Sequence, residues 1–223
     1  MRQFAISDIH GCASTFKTLL NRINFSTTDE LYLLGDYIDR GPDSKGVIDH
    51  IWDLQKSGYR VFCLKGNHEE MMVNALTDTH YGNSWLRHGG METLESFDAY
   101  HIKEVPETYI TWMRELPHYK EVGNYLLVHA GLNCHEQNPL EDEHAMIWIR
   151  RWYQSLDREW LGDRIIVHGH TPIPKTEIIE MAKYLKELPI LDIDAGCTFV
   201  EEEYGWLCAL ELGTNELTFQ ERI

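Results

Sequence analysis

The sequence predicts an α/β protein in which two packed sheets carry helices on their outer faces. Three features predict this class. Short apolar runs alternate with segments of helical period in the first half, the middle has mainly a helical pattern, and short apolar runs separated by turn residues follow in the second half. The 223 residues are enough to build a core, and we expect residues 1–223 to form a single domain.

The first half predicts three strands joined by two helices. The strands are expected at residues 4–6, 31–34 and 60–64, and the helices at residues 14–23 and 44–56. Apolar residues recur every three or four positions in both helices. Because a β-α-β-α-β order gives parallel strands with right-handed crossovers, the carboxyl ends of the three strands should meet at one edge of a sheet, where such sheets bind ligands.

The rest of the chain predicts a helical layer followed by further strands. Residues 67–116 are expected to be mainly helical, and residues 118–122 and 124–128 flank Gly123 as a hairpin. Residues 181–188 fit either a helix or an irregular segment. Five further short strands are expected at residues 164–167, 176–179, 190–193, 206–211 and 217–221.

Composition and charge disfavour several classes of protein. No apolar stretch approaches the ~20 residues that a membrane span needs, and the N-terminus lacks the pattern of a signal peptide, so we expect a cytoplasmic protein. The formal net charge of −16 disfavours a nucleic-acid-binding surface, which would be basic. The five cysteines are widely spaced without a Cys-x-x-Cys pair, which disfavours a disulfide framework or a structural zinc site.

Five short segments combine oxygen or imidazole side chains with glycine at or near the ends of predicted strands. Each alone has an ordinary explanation, such as a turn or a cap, but five together indicate a shared site. Oxygen and imidazole ligands without thiolate suit manganese, iron or zinc. The segments are Ser7-Asp8-Ile9-His10-Gly11, Gly35-Asp36-Tyr37-Ile38-Asp39-Arg40-Gly41, Gly66-Asn67-His68-Glu69, His129-Ala130-Gly131 and His168-Gly169-His170.

Such a ligand set predicts a two-metal site that acts on phosphate esters. Two cations would add about four positive charges, which would let a phosphate approach a chain of net charge −16. A single carboxylate can bridge two cations through its two oxygens, and we predict this role for Asp36. The sequence therefore indicates a metal-dependent phosphatase.

The motifs resemble those of the phosphoprotein phosphatase (PPP) branch of the calcineurin-like metallophosphoesterases. Residues 64–69 match the serine/threonine phosphatase motif of that family at every position, and residues 35–41 match its second motif. Residues 129–131 are the variant common in bacterial and phage members. Ser7 replaces a glycine often found before Asp8, which is a mild departure.

The resemblance spans residues 4–196 and implies a four-layer α/β/β/α sandwich of two mixed sheets, with residues 1–223 forming one catalytic domain. It implies two divalent metal ions, with manganese favoured and iron or zinc also suitable. His168 and His170 would share one face of a strand, but the family motif assigns the ligand position to His170. The implied ligands are Asp8, His10 and Asp36 for the first ion and Asp36, Asn67, His129 and His170 for the second.

The resemblance also implies four catalytic side chains. His68 resembles the general acid that protonates the leaving oxygen, and Asp39 resembles the carboxylate that orients it and would raise its pKa. Arg40 and Arg150 resemble the two arginines that bind phosphate oxygens, because guanidinium is planar, bidentate and permanently charged. Arg151 is the alternative to Arg150.

The activity implied by the resemblance is that of a metal-dependent phosphomonoesterase. The main expectation is a serine/threonine protein phosphatase that acts on phosphorylated proteins or peptides by direct attack of a metal-bridging hydroxide. The alternative is a hydrolase of the diadenosine tetraphosphate type, which resembles a form with Asp where this chain has Glu69. An inactive phosphate-binding module is disfavoured, because no ligand or acid is missing. We expect no nucleic-acid or membrane partner, and the length allows an active monomer.

Overall fold

The computed structural model describes the whole chain, residues 1–223. The strands are β1 (Gln3–Ile6), β2 (Glu30–Leu33), β3 (Arg60–Cys63), β4 (Tyr119–Val122), β5 (Tyr125–Val128), β6 (Ile165–His168), β7 (Ile190–Asp192), β8 (Trp206–Leu212) and β9 (Glu216–Glu221). The α-helices are α1 (Ala13–Arg22), α2 (Ser44–Lys56), α3 (Asn67–Ala75), α4 (Thr79–Trp85), α5 (Met91–Ser96), α6 (Glu107–Glu115), α7 (Glu143–Trp148), α8 (Arg158–Leu161) and α9 (Lys175–Lys183). A π-helical turn, Leu86–Gly90, joins α4 to α5. None of the helices combines the length and apolar character needed to cross a membrane.

The strands form two mixed sheets. The five-stranded sheet has the order β3-β2-β1-β8-β9, in which β1, β2 and β3 are parallel and β8 and β9 are antiparallel to their neighbours. The four-stranded sheet has the order β4-β5-β6-β7, with β5, β6 and β7 parallel and β4 paired with β5 as the predicted hairpin. The expected β-α-β-α-β unit is therefore present, and its three strand ends lie at one edge.

Three apolar clusters stack these sheets into layers. One cluster lies between the sheets and includes Ala5 from the first and Val167 and Leu191 from the second. Since neighbouring residues of a strand point to opposite faces, Phe4 and Ile6 join a second cluster, which packs that sheet against helices. A third cluster covers the outer face of the four-stranded sheet. The predicted four-layer α/β/β/α sandwich is confirmed.

Helix α2 illustrates how local sequence sets the predicted elements. Its first turn is capped by Asp43, whose carboxylate accepts a hydrogen bond of 2.8 Å from the backbone N–H of Gly46. Val47, Ile48 and Ile51 recur at helical spacing and are fully buried. Capping of this kind stabilises a helix by ~1 kcal/mol, and the buried stripe fixes which face meets the sheet.

One predicted strand is wrong. Residues 176–179 lie in helix α9, which follows Pro174, and only Ile178 of the helix is fully buried. Proline is compatible with the start of a helix because its fixed φ suits the first turn and its missing N–H is not needed there. The segment 181–188, left open between helix and irregular structure, begins as the end of α9 and continues as turns.

Candidate metal centre

The loops that follow β1 and β2 are joined by backbone hydrogen bonds. The N–H of His10 donates to the carbonyl of Asp36 at 2.9 Å, and the N–H of Asp8 donates to the carbonyl of Gly35 at 3.3 Å. Three of these residues have left-handed backbone, with φ of 49° at Asp8, 45° at His10 and 54° at Asp36. Non-glycine residues in this region store strain, which commonly marks functional sites.

Glu69 locks the loop after β2 to the start of α3. Its carboxylate accepts hydrogen bonds of 2.9 Å from the backbone N–H groups of Asp36, Tyr37 and Gly66. Burial raises the pKa of Glu69 to about 8 and the charge of Asp36 adds to this, while the three N–H groups act in the opposite direction. A side chain at Gly66 would lie 2.2 Å from Oδ1 of Asp36, so only glycine fits there.

The carboxylate of Asp36 lies between two histidine-containing clusters. Its Oδ2 is 3.5 Å from Nε2 of His10, and its Oδ1 is 3.5 Å from Nε2 of His129. We call His10, Asp36 and His68 the first cluster and Asp36, His129 and His170 the second cluster; within each, the potential ligand atoms lie within 4.8 Å of one another. Two oxygens directed at different clusters are the arrangement that a bridging carboxylate requires.

In the second cluster, acceptor atoms outnumber the N–H groups that could donate hydrogen bonds to them. Nδ1 of His129 donates to the carbonyl of Leu34 at 3.0 Å, so its Nε2 lone pair faces Oδ1 of Asn67 at 3.0 Å. Asn67 Oδ1 also lies 2.8 Å from Nδ1 of His170, whose buried Nε2 has no hydrogen-bond partner. Burial lowers the pKa of both imidazoles, which favours the neutral form that binds metals. Facing acceptors and an orphaned buried nitrogen fit a cation.

Asp8 occupies a different position from the other predicted ligands. Its buried carboxylate accepts hydrogen bonds of 3.2 and 3.1 Å from the backbone N–H of His170, and it belongs to neither cluster. A side chain at Gly169 would lie 2.1 Å from Oδ2 of Asp8, so the glycine permits this close approach. Asp8 therefore joins β1 of one sheet to the loop after β6 of the other.

Arg40 satisfies the imidazoles of the first cluster. Nδ1 of His10 donates to the carbonyl of Ile38 at 2.8 Å, and Nε2 of His10 accepts from Nη1 of Arg40 at 2.7 Å. The second guanidinium nitrogen, Nη2, donates to Nε2 of His68 at 3.0 Å. Arg40 itself is exposed, so the charged group lies at the mouth of the site.

His68 and Asp39 form the predicted pair. Nδ1 of His68 donates to Oδ2 of Asp39 at 2.6 Å. Burial raises the pKa of Asp39 to about 7, although hydrogen bonds from Thr93 and Trp85 lower it. Burial and, after it, the charge of Arg40 lower the pKa of His68. The expected rise of this pKa is therefore wrong, because loss of hydration on burial dominates.

Arg150 lies beside the second cluster. It is exposed and donates from Nη1 to Oγ1 of Thr171 at 2.8 Å, next to His170 in the chain. His168 is separate from the clusters: its Nε2 accepts from the hydroxyl of Tyr153 at 2.8 Å, and burial lowers its pKa to about 4. The geometry thus places His170, and not His168, with the other candidate ligands.

No local sequence pattern indicates a role at the site for Trp85, Thr93 or Trp148. Trp85 and Thr93 donate to Asp39 from the helical middle segment, 46 and 54 positions away. Trp148 donates to Glu70 at 2.7 Å, and its ring lies 6.4 Å from that of His170. Tryptophan and threonine in helical segments usually serve packing or capping, so only the folded chain brings these donors to the site.

The fold and the clustered oxygen and imidazole groups are typical of metal-dependent phosphoesterases. Residues 1–199 match the family model of the calcineurin-like phosphoesterases, and the chain belongs to that family. The family fold implies two divalent metal ions, and the thiolate-free donor set, with its orphaned nitrogen, fits them.

The known proteins that this chain resembles have names that refer to different substrates. The symmetrical bis(5'-nucleosyl)-tetraphosphatase of Pseudomonas putida (strain W619) is 32% identical over 138 residues, which are 59% of this chain and 43% of that protein. The chain thus spans less than half the length of this curated relative. Among solved structures, a candidate diadenosine tetraphosphatase has a TM-score of 0.66 at 20% identity, covering 98% of this chain and 92% of that one. A protein serine/threonine phosphatase from Saccharomyces cerevisiae has a TM-score of 0.71 at 14% identity, covering 100% and 80%. These structural likenesses concern the fold.

Proposed function

We propose that the protein is a metal-dependent hydrolase of dinucleoside polyphosphates. Hydrolysis of a phosphate ester is supported by the position of the Asp36 carboxylate, which lies between two histidine clusters with one oxygen directed at each. The substrate class is supported by the curated relatives, which are symmetrical bis(5'-nucleosyl)-tetraphosphatases. The diadenosine tetraphosphate type of hydrolase, which is the alternative expected from the sequence, therefore ranks above the protein phosphatase.

Two divalent ions, for which we propose manganese, would supply Lewis-acid polarisation of the phosphate and activation of a water. The proposed ligands come from five loops of the two sheets. Burial favours the neutral form of the His129 and His170 imidazoles, which is the form that binds a metal ion. Asp8, His10 and Asp36 would hold one ion, and Asp36, Asn67, His129 and His170 the other.

The arginines bind and orient the phosphate groups. Arg40 lies at the mouth of the site between the clusters and the solvent, and Arg150 lies beside Thr171 on the opposite sheet. Guanidinium groups from two sides can contact different phosphoryl oxygens, which fixes the orientation of the phosphorus. A chain of net charge −16 needs such local positive charge to retain a polyphosphate.

His68 is the proposed donor of a proton to the leaving oxygen. Asp39 accepts the Nδ1–H of His68, so Nε2 is the atom directed at the site, 3.9 Å from Oδ2 of Asp36. Before it can donate, Nε2 must give up the hydrogen bond that it accepts from Arg40 and take a second proton from solvent. Proton donation matters most when the leaving group is an alkoxide and least when it is a nucleoside diphosphate, which leaves as a stable anion. The importance of His68 therefore depends on the true substrate.

The experiment compares diadenosine tetraphosphate with a phosphoserine peptide, using the same manganese-loaded protein. We expect faster hydrolysis of the dinucleotide, with two equivalents of ADP as the product of symmetrical cleavage. The Asp36→Asn variant, prepared in parallel, controls for contaminating phosphatases. Turnover of the peptide alone would overturn the proposal.

A phosphoprotein phosphatase is the second candidate, and Glu69 favours it. The Leu64 to Glu69 segment matches the serine/threonine phosphatase motif, and the longer glutamate reaches three backbone N–H groups at once. In the paired assay this candidate predicts release of inorganic phosphate from the peptide and no ADP from the dinucleotide.

A further inference from the structure

The carboxylate of Asp39 is enclosed by two donors from the helical middle segment. Nε1 of Trp85 lies 3.0 Å from both carboxylate oxygens, and Oγ1 of Thr93 donates to Oδ1 at 2.6 Å. Asp39 and Thr93 are fully buried and Trp85 is 1% exposed. With the bond to His68, both oxygens of Asp39 accept hydrogen bonds, so the carboxylate cannot rotate without losing buried hydrogen bonds.

The hydroxyl protons of this network are all donated towards Asp39. Thr93 has a single hydroxyl proton, which it gives to Asp39, so its oxygen must accept from Ser44 at 3.0 Å. The backbone N–H of Asp39 donates to both hydroxyl oxygens, at 3.0 Å to Ser44 and 2.9 Å to Thr93. The chain of donors thus ends at the carboxylate, which leaves Oδ2 to accept Nδ1–H of His68.

The same segment also holds the backbone of Arg40. The N–H of Arg40 donates to the carbonyl of Gly89 at 3.2 Å. Gly89 lies in the π-helical turn with φ of 112°, and a side chain there would lie 2.5 Å from the nitrogen of Arg40. π-helical turns often occur at functional sites, and this turn joins the helices that carry Trp85 and Thr93, both of which donate to Asp39.

We propose that Trp85 and Thr93 are positioning residues that act through Asp39 to hold His68 in the orientation for proton donation. This inference rests on the proposed role of His68. It gives residues 79–96 a function in the reaction in addition to their packing. Neither side chain contacts the metal clusters, so their removal should leave metal binding intact.

The kinetic test uses variants that each lack one donor to Asp39, and two esters that differ in leaving group. Thr93→Val keeps nearly the same shape and removes the hydroxyl, whereas Trp85→Phe removes the indole N–H together with part of the buried ring. We expect kcat for phenyl phosphate, a poor leaving group, to fall by about 10–100-fold, part of the ~10²–10⁴ that general acid catalysis contributes. For p-nitrophenyl phosphate, a good leaving group, we expect less than about a threefold change. Equal losses for both esters would overturn the proposal.

The second test is independent of activity. In zinc-loaded protein, which is diamagnetic, the Nδ1–H proton of His68 should give a protected downfield NMR signal, assigned by its loss in His68→Asn. Both positioning variants should shift this signal or speed its exchange with water. An unchanged signal in both variants would overturn the proposal, whichever phosphate esters the wild-type protein hydrolyses. Failure of the wild type to hydrolyse diadenosine tetraphosphate would count against the proposed function and would leave this test unaffected.

Three controls separate positioning from structure. Trp112→Phe alters a tryptophan of the same helical layer that packs on Tyr37 and Trp52, and it should change neither readout. Thr93→Ser retains the hydroxyl and should restore the wild-type values. In a His68→Asn background, Thr93→Val should cause no further loss; an additive loss would mean that Thr93 acts by another route.

Discussion

The two halves of the metal centre differ in what faces their histidines. In the first cluster, Arg40 donates N–H groups to Nε2 of both His10 and His68. In the second cluster, Nε2 of His129 faces an amide oxygen and Nε2 of His170 has no partner. One half therefore carries its own positive charge, and the other needs a cation from solution. The comparison predicts that the second cluster binds the first equivalent of metal more tightly.

Asp36→Asn should have the largest effect, because it removes the group that the two halves share. An amide cannot supply a negative oxygen to each cluster. We expect loss of both ions and a fall in activity larger than the ~100-fold that loss of an indirect metal contact costs. Elemental analysis measures the metal content, and turnover assays measure the activity. The control is Asp53→Asn, at an exposed position of α2. Retention of two ions would show that the halves are independent.

His68→Asn should reduce turnover without changing the metal content. His68 lies in the first cluster, but its Nδ1 is bound to Asp39 and its Nε2 to Arg40. Loss of a proton donor should cost ~10²–10⁴-fold with an alkoxide leaving group and much less with a nucleoside diphosphate. Parallel assays of the two substrates check this, and His50→Asn on α2 is the control. Loss of one metal ion would instead make His68 a ligand.

Arg40→Ala should test most directly whether Arg40 makes the first cluster bind metal differently from the second. Without the guanidinium, Nε2 of His10 becomes free, so the first cluster should bind its ion more tightly. Loss of charged hydrogen bonds to phosphate, at about 1.5–3 kcal/mol, should raise KM by about 10–150-fold. Calorimetric titration with manganese and steady-state kinetics measure both effects. Weaker metal binding at both clusters would contradict the comparison.

The smallest effect is expected far from the metal centre, at Asp29. Burial alone would raise the pKa of Asp29, but hydrogen bonds from Arg2 and Ser26 outweigh it and lower the pKa to about 2. The pair therefore stabilises the fold fully above about pH 4, and this contribution is lost as pH falls towards 2. Because Arg2 is partly exposed, we expect Asp29→Asn to cost only about 1–2 kcal/mol at pH 7.

Urea denaturation between pH 2 and pH 7 measures this contribution. The difference in unfolding free energy between the wild type and Asp29→Asn should shrink as the pH falls below about 4. A constant difference across that range would mean that the ion pair does not carry the effect. Since this site is separate from the metal clusters, metal content should stay unchanged.

The strand-end motifs were sufficient to predict the fold and most of the clustering. Parallel strands bring their carboxyl ends together whatever the loop details, so Asp36, Asn67, His129 and His170 could be placed together from the sequence. The strand expected at residues 176–179 failed because a short apolar run with alternating polar residues fits both periods. Helix α9 arises from its proline start and its packing.

Contacts within the site could not be predicted from the sequence. The contact of Arg40 with His10 depends on left-handed backbone at both residues, and the burial that lowers the pKa of His68 depends on the whole fold. Thr93 and Asp39 are 54 positions apart and belong to different segments. Such pairs form only when distant segments of the chain fold together, so no local sequence pattern indicates them.

The left-handed residues at the site limit how this protein can change over evolutionary time. Six non-glycine residues carry positive φ there, namely Asp8, His10, Asp36, Asp39, Arg40 and His170. At ~1 kcal/mol or more each, their combined strain is comparable to the whole ~5–15 kcal/mol stability of a typical domain. Glycine would relieve that strain at every one of these positions and would remove a side chain needed for the chemistry. Selection for a more heat-resistant protein must therefore act elsewhere in the chain.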